Sequence, residues 1–285
     1  MIIKDKQFDE ERALYASRDV LVTNCKFTGP KDGESALKES QNVRVDNSYF
    51  NLRYPFWHDT NLSINSSEMT ENCRAALWYS KDIRIIDSIL NGTKAIRECE
   101  NIELINTTIN SKEFFWKSKS FSIEDSKVES EYPFFETENG KITNLELKAK
   151  YSFQYSKNIE ITNSFFDTKD AFWHTENVTV KDSIIKGEYL GWYSNNLKLI
   201  NCKIIGTQPL CYATNLTIED CEMIDCDLSF EYSDVKAKIK GEILSIKNPL
   251  SGYIRCNNIK EIILDENKKS DSNCEITPYE NVPTM

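Results

Sequence analysis

The 285-residue sequence is poor in the residues on which many kinds of active site depend. It contains only 2 histidines, 9 glycines and 7 prolines. Two histidines leave little room for histidine-based metal centres or catalytic triads, and the scarcity of glycine and proline disfavours long linkers and disorder. There is no C-x-x-C pair, no glycine-rich phosphate loop and no G-x-S-x-G nucleophile elbow. The sequence therefore predicts neither a metal site nor a cofactor.

Long apolar runs are also missing, since no stretch of about 18 apolar residues occurs anywhere and no membrane helix is expected. The first residues, MIIKDKQFDEERALY, show neither the apolar core nor the cleavage site of a secretory signal. The 9 scattered cysteines are an odd number, which with these features predicts free thiols in a cytoplasmic protein. Lys and Arg number 35 against 45 Asp and Glu, and the formal net charge of −10 disfavours binding to nucleic acid or to an anionic membrane.

What the sequence has in abundance is repetition. The segments Asn158–Ser164, Asn177–Ser183, Asn196–Cys202 and Asn215–Cys221 are copies of one pattern, and each starts 19 residues after the one before it. The first residue of each copy is called the anchor, and Asp234 follows at the same interval. Looser anchors occur at Asp19, Asn42, Asn61, Asp82, Asn101, Ser120, near Gly140 and at Asn258.

Each copy has the pattern of one turn of a parallel β-helix. Apolar residues such as Val178 and Val180 stand one and three positions after the anchor, with polar residues between them, as in a strand with one buried face. Asn or Asp follows at a position where a sharp corner needs left-handed backbone, as at Asp182, and a small residue comes next. The sequence predicts an all-β fold, a single-stranded right-handed parallel β-helix, forming one domain over residues 1–285. Residues 1–13 are predicted to form a short helix or lid, and residues 265–285 a C-terminal tail or cap.

Several motifs resemble those of an uncharacterised bacterial family of single-domain β-helix proteins. They are FDEERALY at 8–15, GESALKE at 33–39, KDAFWH at 169–174, GEYLGWY at 187–193, QPLCY at 208–212 and FEYS at 230–233. The resemblance spans almost the whole chain and implies a right-handed β-helix of the pectin-lyase-like class. It implies no reaction. The polysaccharide lyases and glycoside hydrolases of that class are an analogy of fold alone.

All five tryptophans stand four residues before an anchor, at Trp57, Trp78, Trp116, Trp173 and Trp192. The residue before four of them, Phe56, Leu77, Phe115 or Phe172, is apolar and should point inward, so strand alternation turns the indoles outward onto one face. One interpretation is that the indoles pack on one another and stiffen the solenoid. Another is a platform for an oligosaccharide, because sugar rings stack on exposed aromatic rings. A third is a non-enzymatic scaffold whose aromatic face docks another protein.

Charged residues fall on successive turns in the middle of the array, and adjacent turns are about 4.8 Å apart. A polysaccharide lyase needs a cation to neutralise a uronate and a base to remove the neighbouring proton, whereas a glycoside hydrolase needs two carboxylates about 5–9 Å apart. The sequence therefore predicts an oligosaccharide site here. The predicted ligand-binding residues are Arg74, Trp78, Arg97, Trp116 and His174, and the predicted catalytic residues are Glu98, Glu113 and Lys117.

The charged positions have a structural interpretation too, as a ladder of salt bridges between turns, and this leaves open whether the protein is an enzyme. His58 and His174 occupy equivalent positions six turns apart, roughly 29 Å at the strand spacing, so they cannot share a metal or a catalytic dyad. Both belong to a column that runs beside the tryptophans, three residues before the anchors. Its members are Glu39, His58, Tyr79, Glu98, Lys117, Tyr155, His174, Tyr193 and Arg255.

Overall fold

The computed structural model describes residues 1–29, 34–266 and 272–278, and every regular element within them is a β-strand. Parallel strands stack as a β-solenoid of about 14 turns, which confirms the predicted all-β parallel β-helix. The chain divides into two compact units, Met1–Lys148 (unit 1) and Ala149–Met285 (unit 2). The assignment of the whole chain to one domain stays a prediction. None of the described residues belongs to a helix long and apolar enough to cross a membrane.

The strands alternate between longer ones that begin at the anchors and shorter ones that follow the Asx corner. In unit 1 they are β1 (Ile2–Lys4), β2 (Gln7–Phe8), β3 (Arg18–Thr23), β4 (Lys26–Phe27), β5 (Gln41–Asp46), β6 (Tyr49–Phe50), β7 (Phe56–Trp57), β8 (Thr60–Asn65), β9 (Glu68–Met69), β10 (Leu77–Trp78), β11 (Lys81–Ile86), β12 (Ile89–Leu90), β13 (Ile96–Arg97), β14 (Glu100–Ile105), β15 (Thr108–Asn110), β16 (Lys119–Glu124), β17 (Lys127–Ser130) and β18 (Glu138–Thr143). The unit boundary lies within β19 (Glu146–Tyr151), and unit 2 continues with β20 (Lys157–Thr162), β21 (Phe165–Lys169), β22 (Glu176–Lys181), β23 (Ile184–Lys186), β24 (Asn195–Ile200), β25 (Lys203–Ile205), β26 (Leu216–Ile224), β27 (Asp234–Lys247), β28 (Ser251–Ile263) and β29 (Asn273–Pro278).

The register between turns is the 19-residue period of the sequence. Val178 on β22 lies opposite Ile159 on β20 and Leu197 on β24, and all three side chains are buried. Each turn thus stacks its branched residues on those of its neighbours, and this stack forms the core. Removal of such side chains from water is the main favourable contribution to folding, at about 25 cal/mol per Å² of apolar surface.

The corner after each long strand has the predicted chemistry. Asp182 and Asn201 both have φ of 50°, in the left-handed region, and Asn201 Nδ2 donates a hydrogen bond of 2.7 Å to Asp182 Oδ1. The small residue that follows closes the corner. The hydroxyl of Ser183 donates to the carbonyl of Lys181 at 2.6 Å and accepts the backbone N–H of Ser164 at 3.0 Å. The hydroxyl therefore satisfies two buried backbone groups at once, which explains why this position is small and often polar.

The N-terminal residues 1–13 contain β1 and β2 instead of the predicted helix. Ile2 lies opposite Leu21 in a parallel pair, and the ring of Phe8 stacks on that of Phe27 with 4.8 Å between centroids. The segment forms strands because Ile3 can be buried on the next turn, and this contact outweighs a weak helical pattern. At the other end, β29 pairs in parallel with β28. The rest of the predicted C-terminal tail, residues 267–271 and 279–285, lies outside the described residues.

The nine cysteines are free thiols, as the sequence predicts, and eight of them are buried. Cys202 and Cys221 occupy the small-residue position on consecutive turns, and the backbone N–H of Cys202 lies 3.3 Å from Cys221 Sγ. Burial raises the pKa of the Cys99 thiol to about 12 and that of Cys73 to about 11. These thiols are therefore protonated packing groups rather than nucleophiles.

Candidate functional site

The tryptophan column is half-buried rather than fully exposed. The indole N–H of Trp116 donates to the carbonyl of Tyr132 at 2.6 Å, and that of Trp192 donates to the carbonyl of Gln208 at 2.8 Å. Both carbonyls belong to the chain 16 residues further on. Trp57 makes the same kind of bond to a residue 18 positions ahead. Each of these indoles therefore ties one turn to the next, which is the packing role that the sequence left open.

Arg97 takes the place of a tryptophan in this column in unit 1. Its guanidinium carbon lies 5.0 Å from the ring centre of Trp78 and 5.1 Å from that of Trp116, so both indole faces meet the cation. Arg97 Nε lies 3.3 Å from Glu98 Oε1, and Nη1 lies 3.4 Å from Glu113 Oε2. The predicted binding residues Trp78, Arg97 and Trp116 and the predicted catalytic residues Glu98 and Glu113 are thus brought together around one guanidinium.

The charges of this cluster are already matched within the protein. Glu98 also accepts the indole N–H of Trp78 at 3.3 Å, and Glu113 lies 3.6 Å from the ammonium of Lys94. The third predicted catalytic residue, Lys117, is on the surface and pairs with Glu136 at 3.4 Å. Arg74 is exposed on the neighbouring turn. A substrate carboxylate would therefore compete with Glu98 and Glu113 for Arg97. The catalytic roles stay a prediction.

Ion pairs between turns extend well beyond this cluster. In both units many of them join residues 19 positions apart, so that each of these pairs links equivalent positions on consecutive turns. Examples are Lys81–Glu100, Lys94–Glu113, Lys112–Glu131, Lys117–Glu136, Lys119–Glu138, Lys157–Glu176, Lys169–Glu188 and Lys203–Glu222. Most of the partners are exposed, so each pair contributes about 0–1 kcal/mol. Glu113 and Lys117 are members of this salt-bridge ladder as well as candidates for chemistry, whereas Glu98 pairs with the adjacent Arg97.

A row of five stacked or tilted rings lies in unit 2, in the column beside the tryptophans. We call it the aromatic ladder, and it consists of Tyr155, His174, Tyr193, Tyr212 and Tyr232. The first four rings are nearly parallel, with centroid separations of 5.2, 4.9 and 4.8 Å and interplanar angles of 4°, 7° and 11°. The step from Tyr212 to Tyr232 is wider, at 5.9 Å and 31°. Tyr155 and Tyr193 are each 44% exposed.

The backbone holds these rings outward. Every ladder residue has φ between 51° and 58°, in the left-handed region that bulky side chains rarely adopt. The conformation recurs because a buried small residue follows each ring and forces a tight bend; Ser194 after Tyr193 is 1% exposed. His174, the predicted ligand-binding residue, lies within the ladder between Tyr155 and Tyr193. Trp173 packs behind His174 at 5.6 Å between centroids.

Unit 1 has only a short counterpart of this ladder. The rings of His58 and Tyr79 stack at 5.1 Å and 16°, and Tyr79 also stacks on Trp78 at 5.4 Å. The next members of the column are Glu98 and Lys117, which carry charge instead of a ring. This stack in unit 1 is therefore two rings long within the column.

Two lysines near the aromatic ladder are paired with glutamates. The Lys157 ammonium lies 3.1 Å from Glu176, and Lys247 lies 3.0 Å from Glu231. The hydroxyl of Tyr212 donates to Glu231 at 3.3 Å. Burial, and next the charge of Glu231, raises the pKa of Tyr212 to about 12, so its hydroxyl is a neutral donor at physiological pH.

Two shallow depressions lie at the Asx corners, away from both aromatic columns. One, of about 310 Å³ in unit 1, is lined by Asn47, Ser48, Tyr49, Ser66, Ser67, Glu68, Asp87 and Ile89. The other, of about 220 Å³ in unit 2, is lined by Asp182, Ser183, Ile184, Asn201, Cys202, Lys203, Asp220, Glu222 and Lys240. Within the described ranges, no three His, Cys, Asp or Glu side chains are grouped closely enough to hold a metal ion.

A family model described as "Protein of unknown function (DUF3737)" matches residues 1–277. The chain belongs to this family. The predicted resemblance to an uncharacterised β-helix family is thereby confirmed. None of the curated proteins compared with the chain matches it.

Three solved structures illustrate what the DUF3737 chain is similar to. The surface adhesin PfbA of Streptococcus pneumoniae has 12% identity and a TM-score of 0.38, over 84% of this chain and 75% of that one. The A-module of the Azotobacter vinelandii mannuronan C-5 epimerase AlgE6 has 10% identity and a TM-score of 0.37, over 94% and 92%. A GH87 α-1,3-glucanase catalytic domain has 10% identity and a TM-score of 0.33, over 97% and 63%. Similarities this low assign no function to this chain.

Proposed function

We propose that this protein binds an extended carbohydrate chain along the aromatic ladder of unit 2. The observation that carries the proposal is the row of near-parallel rings from Tyr155 to Tyr212, which repeats every 4.8–5.2 Å on one side of the solenoid. Tyrosine combines an apolar ring with a polar hydroxyl, and this combination suits ligands that present both apolar C–H groups and hydroxyls. Aromatic groups this exposed and this contiguous usually mark an interaction site.

The width of the ladder favours a linear ligand over a protein partner. A stable protein–protein interface needs about 800 Å² on each partner, and a single column of rings one residue wide is narrower than such a patch. A polymer lying along the column would contact successive rings with successive repeat units. Because the backbone already holds the rings in place, little side-chain entropy is lost when a ligand binds.

The proposal concerns binding and assigns no reaction. The cluster around Arg97 in unit 1 stays a predicted second site for saccharide. Its cation lies between two indoles and two carboxylates, so it is a weaker candidate than the exposed rings of unit 2. A cytoplasmic setting is part of the proposal, and the nine free thiols support a reducing compartment.

The test is a screen of linear oligosaccharides on a glycan array, followed by titration calorimetry with the full chain. Tyr193→Asn removes a central ring and retains a residue that tolerates left-handed backbone. We expect it to weaken binding about tenfold, since a lost ring contact and a lost hydrogen bond together are worth about 1.4 kcal/mol.

The matched control is Phe165→Ala, which removes an aromatic side chain of similar exposure, 40%, from β21 in the same unit but outside the ladder. This variant should bind as the unaltered protein does. Equal loss of affinity in both variants, or binding unaffected by Tyr193→Asn, would contradict the proposed site.

A further inference from the structure

We infer that the ligand of the aromatic ladder is an uncharged polysaccharide, recognised through its hydroxyl groups by the outer edges of the rings rather than by stacking on their faces. This inference rests on the proposed function, and it narrows the class of carbohydrate.

The ring faces of the ladder are covered by one another. His174 lies 5.2 Å from Tyr155 and 4.9 Å from Tyr193, with interplanar angles of 4° and 7°. A sugar ring between two aromatic rings needs about 7–8 Å, which is two carbon contact distances of 3.5–4.0 Å. A sugar therefore cannot enter the stack, and the usual face-to-face platform is excluded along these turns.

The outer edges of His174 and Tyr193 face solvent, since both residues are exposed. A phenol hydroxyl both donates and accepts hydrogen bonds, and an imidazole has a nitrogen of each kind when neutral. The centroids of these two rings are 4.9 Å apart, whereas the hydroxyl of Tyr212, the next ring, is already bonded to Glu231, so the exposed hydrogen-bonding row is centred on His174 and Tyr193. A ligand that carries hydroxyls at every repeat unit can pair with this row, whereas a purely apolar ligand would leave it unsatisfied.

The charges near the ladder select against an acidic ligand. The cations on its flanks already have carboxylate partners: Lys157 pairs with Glu176, and Lys247 pairs with Glu231. The position two residues after each ladder ring holds Lys157, Glu176, Asn195, Thr214 and Asp234, and the one cation among them is paired with Glu176. A uronate would lose its hydration without gaining a cation, and the whole chain, with its net charge of −10, repels polyanions.

The experiment compares pairs of hexasaccharides that share a linkage and differ in charge. The pairs are β-1,4-glucan with β-1,4-glucuronan, β-1,4-mannan with β-1,4-mannuronan, and α-1,4-galactan with α-1,4-galacturonan. Each is titrated calorimetrically into the full chain at low and at high salt. We expect the neutral member of at least one pair to bind, at least tenfold more tightly than its uronate, with little change between the two salt concentrations.

Tyr193→Phe separates edge recognition from face stacking, because it removes one hydroxyl and keeps the ring in the stack. We expect it to weaken binding of the neutral ligand by about threefold to tenfold, the effect of one hydrogen bond. Unchanged affinity in Tyr193→Phe would overturn recognition by the ring edges. Tighter binding of a uronate than of its neutral partner would overturn the inference and leave the proposed function standing. Binding of no member of any pair would contradict the proposed function itself.

Discussion

The guanidinium carbon of Arg97 lies 5.0 Å from the centre of the Trp78 indole. On its other side the Trp116 ring is equally close, and the Arg97 side chain is only 18% exposed. A cation held between two aromatic rings and two carboxylates contributes to stability through every one of these contacts. Arg97, which the sequence predicts to be a ligand-binding cation, is therefore also part of the packing of unit 1.

Arg97→Ala should lower the free energy of unfolding by about 2–3 kcal/mol, since it removes two cation–π contacts, leaves the partly buried Glu98 without its cation and leaves Glu113 with Lys94 alone. Urea denaturation measures the change. The control is Arg84→Ala, whose ion pair with Glu103 is exposed and should be worth less than about 1 kcal/mol. Equal effects of the two substitutions would show that the indole contacts add nothing.

Trp116→Ala should destabilise the protein by about 2–4 kcal/mol, somewhat less than a fully buried tryptophan because the ring is half-exposed. The loss includes the indole hydrogen bond to Tyr132 and the contact with Arg97. Lys117→Ala, at the next residue, removes only an exposed ion pair and serves as the control. If the Trp116→Ala protein is as stable as this control, Trp116 does not contribute to packing and is instead part of a binding surface.

Asp59 should make stability depend on pH. It is 1% exposed and occupies a position where Ser40 and Ser80 stand on the adjacent turns. Its Oδ1 accepts the N–H of Ser40 at 2.8 Å, while Oδ2 is buried without a hydrogen-bond partner among the described residues. Burial raises the pKa of this carboxyl from 3.8 to about 8, although the hydrogen bond from Ser40 opposes the shift. The folded protein therefore binds a proton that the unfolded chain releases between these two pH values.

Between pH 4 and pH 8 this linkage should lower the stability of the protein by up to about 1.4 kcal/mol per pH unit as pH rises. Asp59→Ser restores the usual residue type of this position, and we expect it to flatten the profile and to stabilise the protein at pH 8. Urea midpoints at pH 5, 6, 7 and 8 test this. Asp82→Ser, at an exposed carboxyl, should leave the slope unchanged. A slope that is the same with and without Asp59 would contradict the prediction.

Gly140 is small because the Phe121 ring of the preceding turn occupies the space where its side chain would lie. A Cβ on Gly140 would come within 2.1 Å of that ring. We therefore expect Gly140→Val to cost about 1–3 kcal/mol through overpacking. Phe121→Val alone should be destabilising by about as much. The double variant should recover much of the loss, because the equivalent positions on most other turns hold branched residues that pack on one another. A double-mutant cycle measures this coupling, and additivity of the two single effects would exclude it.

The repeat predicts those parts of the fold that follow from periodicity. Val178, Asp182 and Ser183 take the buried-strand, corner and small-residue positions that their spacing indicates. The strands within residues 2–8 were not predicted, because the first turn has no copy of the anchor pattern. These strands are stable only because they pair with β3 and β4.

The candidate sites were harder to predict than the fold. Spacing places Trp78, Arg97 and Trp116 on successive turns, but it does not say whether the flexible arginine turns toward the rings or toward solvent. Spacing also places Tyr155, His174 and Tyr193 in one column. Tyr212 stands at the same spacing, three residues before the anchor Asn215, whereas Tyr232 stands two residues before Asp234. Spacing does not show that these rings stack, because ring orientation depends on the left-handed backbone of each corner.

The alternation of charge along the salt-bridge ladder affects the order in which the turns stack. In unit 1, Lys81, Glu100, Lys119 and Glu138 lie opposite one another on four consecutive turns. Apart from the contact between Phe121 and Gly140, the inward residues of these turns are so similar that core packing opposes the omission of a turn from the stack only weakly. Such an omission would, however, place Lys81 beside Lys119 or Glu100 beside Glu138, and like charges on adjacent strands repel. The surface charges thus oppose the omission of any single turn, because stacking in sequence order brings opposite signs together on adjacent turns.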